Sequence, residues 1–222
     1  MAGATLDTLE KTLSREHYLD SGPYHREFAA IFSCGWVCVG RAEALSAPGD
    51  YQAQRFGDQS IVVIRGEDLE LQAFYNVCRH RGAELIPMPD TQIRTGHFDR
   101  RITCPYHAWT FSPAGELVAI YSAKEFGDLN KKDYGLTELP CLERAGLVWV
   151  TLTPNSNLDI SVFLSGYDSL LGEFGFDNWH HQKTQRVEGP NWKVAYDGYL
   201  DYYHLPILHR ETFGTEIGNK AN

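Results

Sequence analysis

The sequence predicts an α+β chain, with an all-β domain inserted between an N-terminal helical segment and the start of a second, α+β domain. Three observations predict it. Phe28, Ile31 and Phe32 recur at helical spacing near the N-terminus. From Pro48 to about Pro154, short β-branched and aromatic runs alternate with Gly, Pro and Asp turns. After Pro154 the helical spacing returns. The domain boundaries that follow are 1–42, 43–154 and 155–222.

Residues 1–22 are polar and carry little pattern. From Pro23 a helix is expected, because Pro suits a first turn, with Cys34 at its end and Gly35 as its cap. Trp36-Val37-Cys38-Val39-Gly40 reads as a strand. Cys34 and Cys38 lie four apart, but cysteine is among the most often buried residues, so core packing is expected of both. Ser60–Arg65 and Glu70–Asn76 read as a hairpin around Gly66-Glu67-Asp68. Arg101-Ile102-Thr103, Trp109-Thr110-Phe111, Glu116–Ala119 and Gly146–Leu152 are further strands, with a turn at Ser112-Pro113-Ala114-Gly115. Val162, Phe163, Leu164, Leu170, Leu171 and Phe174 predict one amphipathic helix ended by Gly175, and Lys183–Glu188 alternates like a strand.

The chain has 222 residues, 43% hydrophobic and 22% charged, as an ordinary globular protein does. A net charge of −9 without a Lys/Arg cluster argues against nucleic acid as a partner. Five cysteines are too few and too unpaired for a disulfide scaffold. No signal peptide and no run of the roughly 20 apolar residues that a membrane helix needs is present, so a cytoplasmic protein is expected.

Between residues 78 and 107 the chain carries Cys78-Arg79-His80 and Cys104-Pro105-Tyr106-His107, a C-x-H and a C-x2-H separated by 23 residues. Two thiolates and two imidazoles suit a [2Fe–2S] cluster in which the sulfurs hold one iron and the nitrogens the other; replacing thiolates by neutral ligands raises the potential. Structural zinc is the rival for the same four residues. Zinc fingers, however, usually pair Cys with Cys and His with His, whereas each half here supplies one of each.

The runs Cys78-Arg79-His80-Arg81-Gly82-Ala83 and Cys104-Pro105-Tyr106-His107-Ala108-Trp109 resemble the Rieske domain of ring-hydroxylating non-haem iron oxygenases, in their large (alpha) subunit. The gap between the halves is longer here than is usual in that family. The extra residues fall in the Pro-rich, polar stretch from Ile86 to His97, which reads as a loop.

Downstream, Asp201, His204 and His209 are similar to the family's D-x2-H-x4-H signature and lie within a segment that begins Asn191-Trp192-Lys193. Asp201 and His204 are three apart and share a helix face, whereas His204 and His209 would point about 140° apart on an undistorted helix. They converge only if the helix breaks, and Pro206 supplies a break. The plain alternative is a set of polar residues beside an aromatic core, since Tyr196, Tyr199, Tyr202 and Tyr203 crowd the segment.

The resemblance implies a terminal oxygenase component with a Rieske [2Fe–2S] domain, a helix-grip-like catalytic domain and mononuclear Fe(II). In it His204 and His209 are iron ligands, and Asp201 bridges that site to a cluster histidine of a neighbouring subunit. The triad's carboxylate normally lies far along the catalytic domain, so this chain matches only the N-terminal half. The resemblance also implies a reductase or ferredoxin donor, O2, a small organic substrate as in aromatic hydrocarbon catabolism, and a homotrimer with or without a beta subunit. A Rieske electron-transfer protein without oxygenase activity is the alternative.

Overall fold

The structure, a computed structural model, describes residues 13–88, 93–183, 185 and 187–213. The chain divides into two compact units: residues 27–182 form one, and the described residues up to Arg26 with those from Lys183 form the other. Helices α1 (Glu16–Leu19) and α2 (Ser21–Glu27) come first, with Pro23 in the first turn of α2. The helix expected from Pro23 is thus present, but Phe28–Phe32 widen into a π-turn, after which the Gly35 N–H bonds the Ile31 carbonyl at 3.1 Å.

The larger unit is built from β1 (Trp36–Arg41), β2 (Asp50–Phe56), β3 (Gln59–Arg65), β4 (Leu71–Tyr75), β5 (Arg94–His97), β6 (Ile102–Thr103), β7 (Thr110–Phe111), β8 (Leu117–Ala119), β9 (Glu138–Leu139), β10 (Cys141–Arg144) and β11 (Leu147–Thr151). They form three antiparallel sheets in the orders β1-β11-β10, β5-β2-β3-β4-β9 and β6-β7-β8. β3 explains the architecture. Its run Ile61-Val62-Val63-Ile64 is buried throughout because both faces of the sheet are covered. Ile61 and Val63 join a core with Val148 and Val150, while Val62 and Ile64 join a second core with Cys78, Cys104 and Trp109.

Several expectations need correction. Cys34 and Cys38 are exposed, not packed in a core; pleating turns Val37 and Val39 of β1 inward and Cys38 outward. The stretch from Ile86 to His97 is not all loop: β5 pairs with β2, setting Asp50 opposite His97, and residues 89–92 lie outside the described ones. The single helix expected near 162–174 is two, α3 (Ile160–Leu164) and α4 (Tyr167–Glu173). Ser165 and Gly166, both left-handed at φ 49° and 87°, separate them, and the Asp159 carboxylate caps α3. No strand appears among the described residues of 183–188, where 184 and 186 lie outside the description.

The smaller unit adds α5 (Trp192–Leu200), α6 (Leu205–Leu208) and α7 (Arg210–Phe213). The Asn191 side chain accepts from the N–H groups of Lys193 and Val194, starting α5. α1 lies on that start: Tyr18 Oη donates to Asp197 at 3.2 Å, and Asn191 Nδ2 donates to the Tyr18 carbonyl. No helix among the described residues is long and apolar enough to cross a membrane.

Candidate metal centres

The two C-x-H-type loops close in the same way. Cys78 N–H bonds the Ala83 carbonyl and Gly82 N–H the Cys78 carbonyl; Cys104 N–H bonds the Trp109 carbonyl and Ala108 N–H the Cys104 carbonyl. Each loop therefore turns back on its own cysteine, and the fourth residue after that cysteine is left-handed: Gly82 at φ 73° and Ala108 at φ 55°. Glycine accepts that backbone freely, while alanine holds it at a cost of about 1–2 kcal/mol.

Rigid structure stands behind both loops. The first leaves β4 through Asn76, which is fully buried and donates to Ser60 Oγ (3.0 Å) and the Ile86 carbonyl (2.7 Å) while accepting from the Ile86 N–H (2.9 Å). One amide thus staples the start of the loop to its end. Glu84 reinforces it, bonding Arg55 of β2 at 2.5 Å and the Met88 N–H at 2.9 Å. The second loop is the turn between β6 and β7, with Ile102 and Phe111 paired beneath it in the core.

The fold then re-sorts the donors. Although each sequence motif supplies one sulfur and one nitrogen, Cys78 meets Cys104 thiol to thiol, and the His80 and His107 rings meet with centroids 4.7 Å apart. Both cysteines are almost fully buried. Burial, with the neighbouring thiol adding to it, pushes the Cys78 thiol up to about 11. Burial, together with His107 and Arg81, lowers the pKa of His80, favouring the neutral imidazole that a metal needs. His80 Nδ1 is buried without a hydrogen-bond partner among the described residues, which is rare for a buried polar atom. Sulfur paired with sulfur, nitrogen with nitrogen, and an orphaned imidazole nitrogen fit a [2Fe–2S] cluster held two-and-two. Loading iron would displace the Cys78 proton.

The other donor set lies in the smaller unit. α5 stops at Asp201, whose carboxylate accepts from the Tyr203 N–H at 2.7 Å and lies 3.2 Å from His204 Nδ1. The Tyr203 N–H and the His204 ring hold Asp201 below the usual carboxylate range. His204 starts α6 and His209 ends it, with ring centroids 5.4 Å apart. The break comes earlier than expected. Pro206 sits inside α6, and the helix is interrupted at residues 201–204, because a proline ring clashes with the carbonyl four residues before it, here that of Tyr202. Asp201 and His204 accordingly meet across a turn instead of along a helix face. Among the described residues no group of three or more His, Cys, Asp or Glu side chains is arranged to hold a single metal ion. Glu216 lies outside those residues.

A cleft of about 480 Å³ opens beside His80 and His107, walled by Tyr106, Tyr121 and Phe126. Sequence reasoning did not single out that wall, nor Asn76 and Glu84. For Asn76 a signal was present: a polar amide ending an apolar strand two residues before a ligand.

Comparison with known proteins follows the same division. Residues 35–140 match the family described as Rieske [2Fe–2S] domain, and residues 176–220 the ring hydroxylating alpha subunit catalytic domain. The carnitine monooxygenase oxygenase subunit of Acinetobacter baumannii is 33% identical over 89% of this chain and 52% of its own length. The glycine betaine monooxygenase oxygenase subunit of Chromohalobacter salexigens is 29% identical over 96% of this chain and 48% of its own. The crystal structure of the quaternary ammonium Rieske monooxygenase CntA with L-carnitine superposes with a TM-score of 0.80 at 32% identity, covering 92% of this chain and 57% of that one. The chain therefore spans about half the length of the relatives it matches.

Proposed function

We propose, because this chain belongs to the alpha subunits of the Rieske ring-hydroxylating oxygenases, that it serves as the N-terminal half of a terminal oxygenase acting on a small quaternary ammonium compound. The observation that carries the reading is the re-sorting of the donors, thiol with thiol and imidazole with imidazole, on the same chain that brings the His204 and His209 rings together. Cys78, Cys104, His80 and His107 hold the [2Fe–2S] cluster; His204 and His209 are two of the ligands of a mononuclear Fe(II). When bound, the cluster supplies single electrons and the iron activates O2.

The chain's own residues prepare these sites. Asp201 faces the His204 Nδ1 and fixes which ring nitrogen is left for metal. Its remaining acceptor capacity suits an imidazole of the cluster on a neighbouring copy, in a homotrimer fed by a reductase or ferredoxin. Between aromatic hydrocarbon chemistry and monooxygenation of a carnitine- or betaine-like molecule we favour the second, because the relatives described above are named for such compounds.

The test has two parts. Anaerobically purified and reduced, the chain should give an EPR signal of Rieske type; a colourless protein with one zinc per chain would end the reading. In a longer chain that includes the rest of the catalytic domain, with a matched reductase, O2 uptake should depend on carnitine, γ-butyrobetaine or glycine betaine and not on benzene. Uptake with benzene alone would overturn the substrate class.

A further inference from the structure

His80 is boxed by aromatic rings in a way that His107 is not. Trp109 lies face to face on the His80 imidazole, centroids 4.8 Å apart and planes within 6°. Phe126 meets the same imidazole edge-on at 5.8 Å. Trp109 is itself buttressed edge-on by Phe126 and by Tyr134 at 5.5 Å, and is only 2% exposed. His107 is exposed and packs against Tyr106, itself an exposed ring. The His80 Nδ1 finds no hydrogen-bond partner among the described residues, and the Trp109 indole lies flat against one face of the same ring. The indole Nε1 of Trp109 is likewise buried without a partner there.

Resting on the cluster assignment made above, we infer that Trp109 is a positioning residue for the [2Fe–2S] group: its indole orients His80, keeps water from the ring face that it covers and thereby holds the cluster's reduction potential down. The sign follows from charge. With two thiolate and two neutral imidazole ligands the oxidised cluster is neutral, and accepting one electron from the donor gives it one negative charge. The buried Trp109 indole, standing where solvent could otherwise reach that face, disfavours the charged form, because burial penalises charge. The negative face of the indole acts in the same direction on the histidine-bound end. Both effects oppose reduction, so removing the ring raises the potential. A second role for the same side chain has the opposite sign: if the orphaned Nε1–H donated to the cluster, its removal would lower the potential.

Three variants of the 222-residue chain separate these outcomes, measured by redox titration of the loaded protein and by EPR of the reduced form. Trp109→Leu should raise the electron affinity at least tenfold, about 59 mV for one electron, and change the EPR anisotropy as His80 loses its fixed plane. Trp109→Phe keeps a ring face without an N–H and should stay within about threefold of wild type, with its EPR spectrum restored. Phe126→Leu, at a partly exposed position, should raise the affinity by less than Trp109→Leu, and it decides the matter with Trp109→Phe if Trp109→Leu does not load. A fall in potential in both Trp109 variants would show that the N–H and not the face acts, and would overturn the inference. So would unchanged potentials in Trp109→Phe and Phe126→Leu together with either Trp109→Leu unchanged or Trp109→Leu unloaded. Wild-type protein without a Rieske-type signal would instead overturn the cluster assignment on which this rests.

Discussion

Cys78, Cys104 and Trp109 are each 2–3% exposed, whereas Tyr199, Tyr203 and Ile207, the neighbours of His204 and His209, are 75–82% exposed. The first donor set sits on two short turns whose flanking strands send Phe74, Ile102 and Phe111 into one buried core. The second sits on a broken helix whose apolar side chains face outward. The difference teaches what makes a site local. A ligand loop closed by its own backbone bonds and backed by a core is preorganised by the sheets of its own unit. A pair of histidines on short helical turns depends on whatever packs over them.

The comparison can be broken outright at the thiols. Cys104→Ser should abolish the visible absorbance of the loaded chain, yet leave the far-UV signal of α5 unchanged, because α5 belongs to the other compact unit. Loss of both signals together would show the two regions to be one cooperative structure.

Two asparagines sharpen it next. Asn76→Ala strips partners from both the buried N–H and the buried carbonyl of Ile86, each worth about 1–3 kcal/mol when left unsatisfied. A loss of about 2–4 kcal/mol is expected by urea unfolding. Asn191→Ala removes a helix cap in the smaller unit and should cost only about 1 kcal/mol. Equal losses would remove the contrast between a stapled loop and a capped helix start.

How much of this was legible in the sequence divides along the same line. The strands beside the two Cys/His motifs and the hairpin of β3 and β4 were readable because periodicity and turn residues are local signals, and the motif spacing alone is what puts Cys78, His80, Cys104 and His107 forward as candidate cluster ligands. The pairing of sulfur with sulfur was not, since each motif carries one of each and only the fold brings Cys78 to Cys104. Proline was correctly read as a break, but its effect lands four residues upstream, which moved Asp201 from a helix face to a cap. Ser165-Gly166 hid inside an apolar pattern that fits one helix, because amphipathic spacing does not report a left-handed backbone. Cys34 and Cys38 were misplaced by a preference that holds on average and fails in an exposed turn, where Cys34 lies, and on the outer face of a strand, where Cys38 lies.

Smaller effects compare the two ligand loops. Gly82→Ala should cost about 1–2 kcal/mol from its left-handed backbone alone, as no atom lies within 4 Å of where a Cβ would sit. Ala108→Gly should gain about 0.5–1 kcal/mol, the relief of strain being partly offset by a more flexible unfolded chain. Thermal unfolding of the metal-free chain would read both; the shared geometry requires a loss in the first and a gain in the second, and the reverse pair of signs would deny it. Cys78 adds a pH dependence. Its thiol titrates near 9 when unfolded and about 11 when folded, so the metal-free fold should lose stability as pH rises through 9 towards 11. Cys78→Ala should flatten that slope.

The most direct measurement is iron and sulfide per chain after anaerobic loading and dialysis against a mild chelator, with O2 uptake followed in the same samples. The expected result is about two irons and two sulfides, a Rieske-type EPR signal, and no substrate-dependent O2 uptake, because among the described residues no carboxylate joins the His204 and His209 rings in a group arranged to hold a single metal ion. Three irons retained per chain, with O2 uptake coupled to carnitine or betaine, would contradict it.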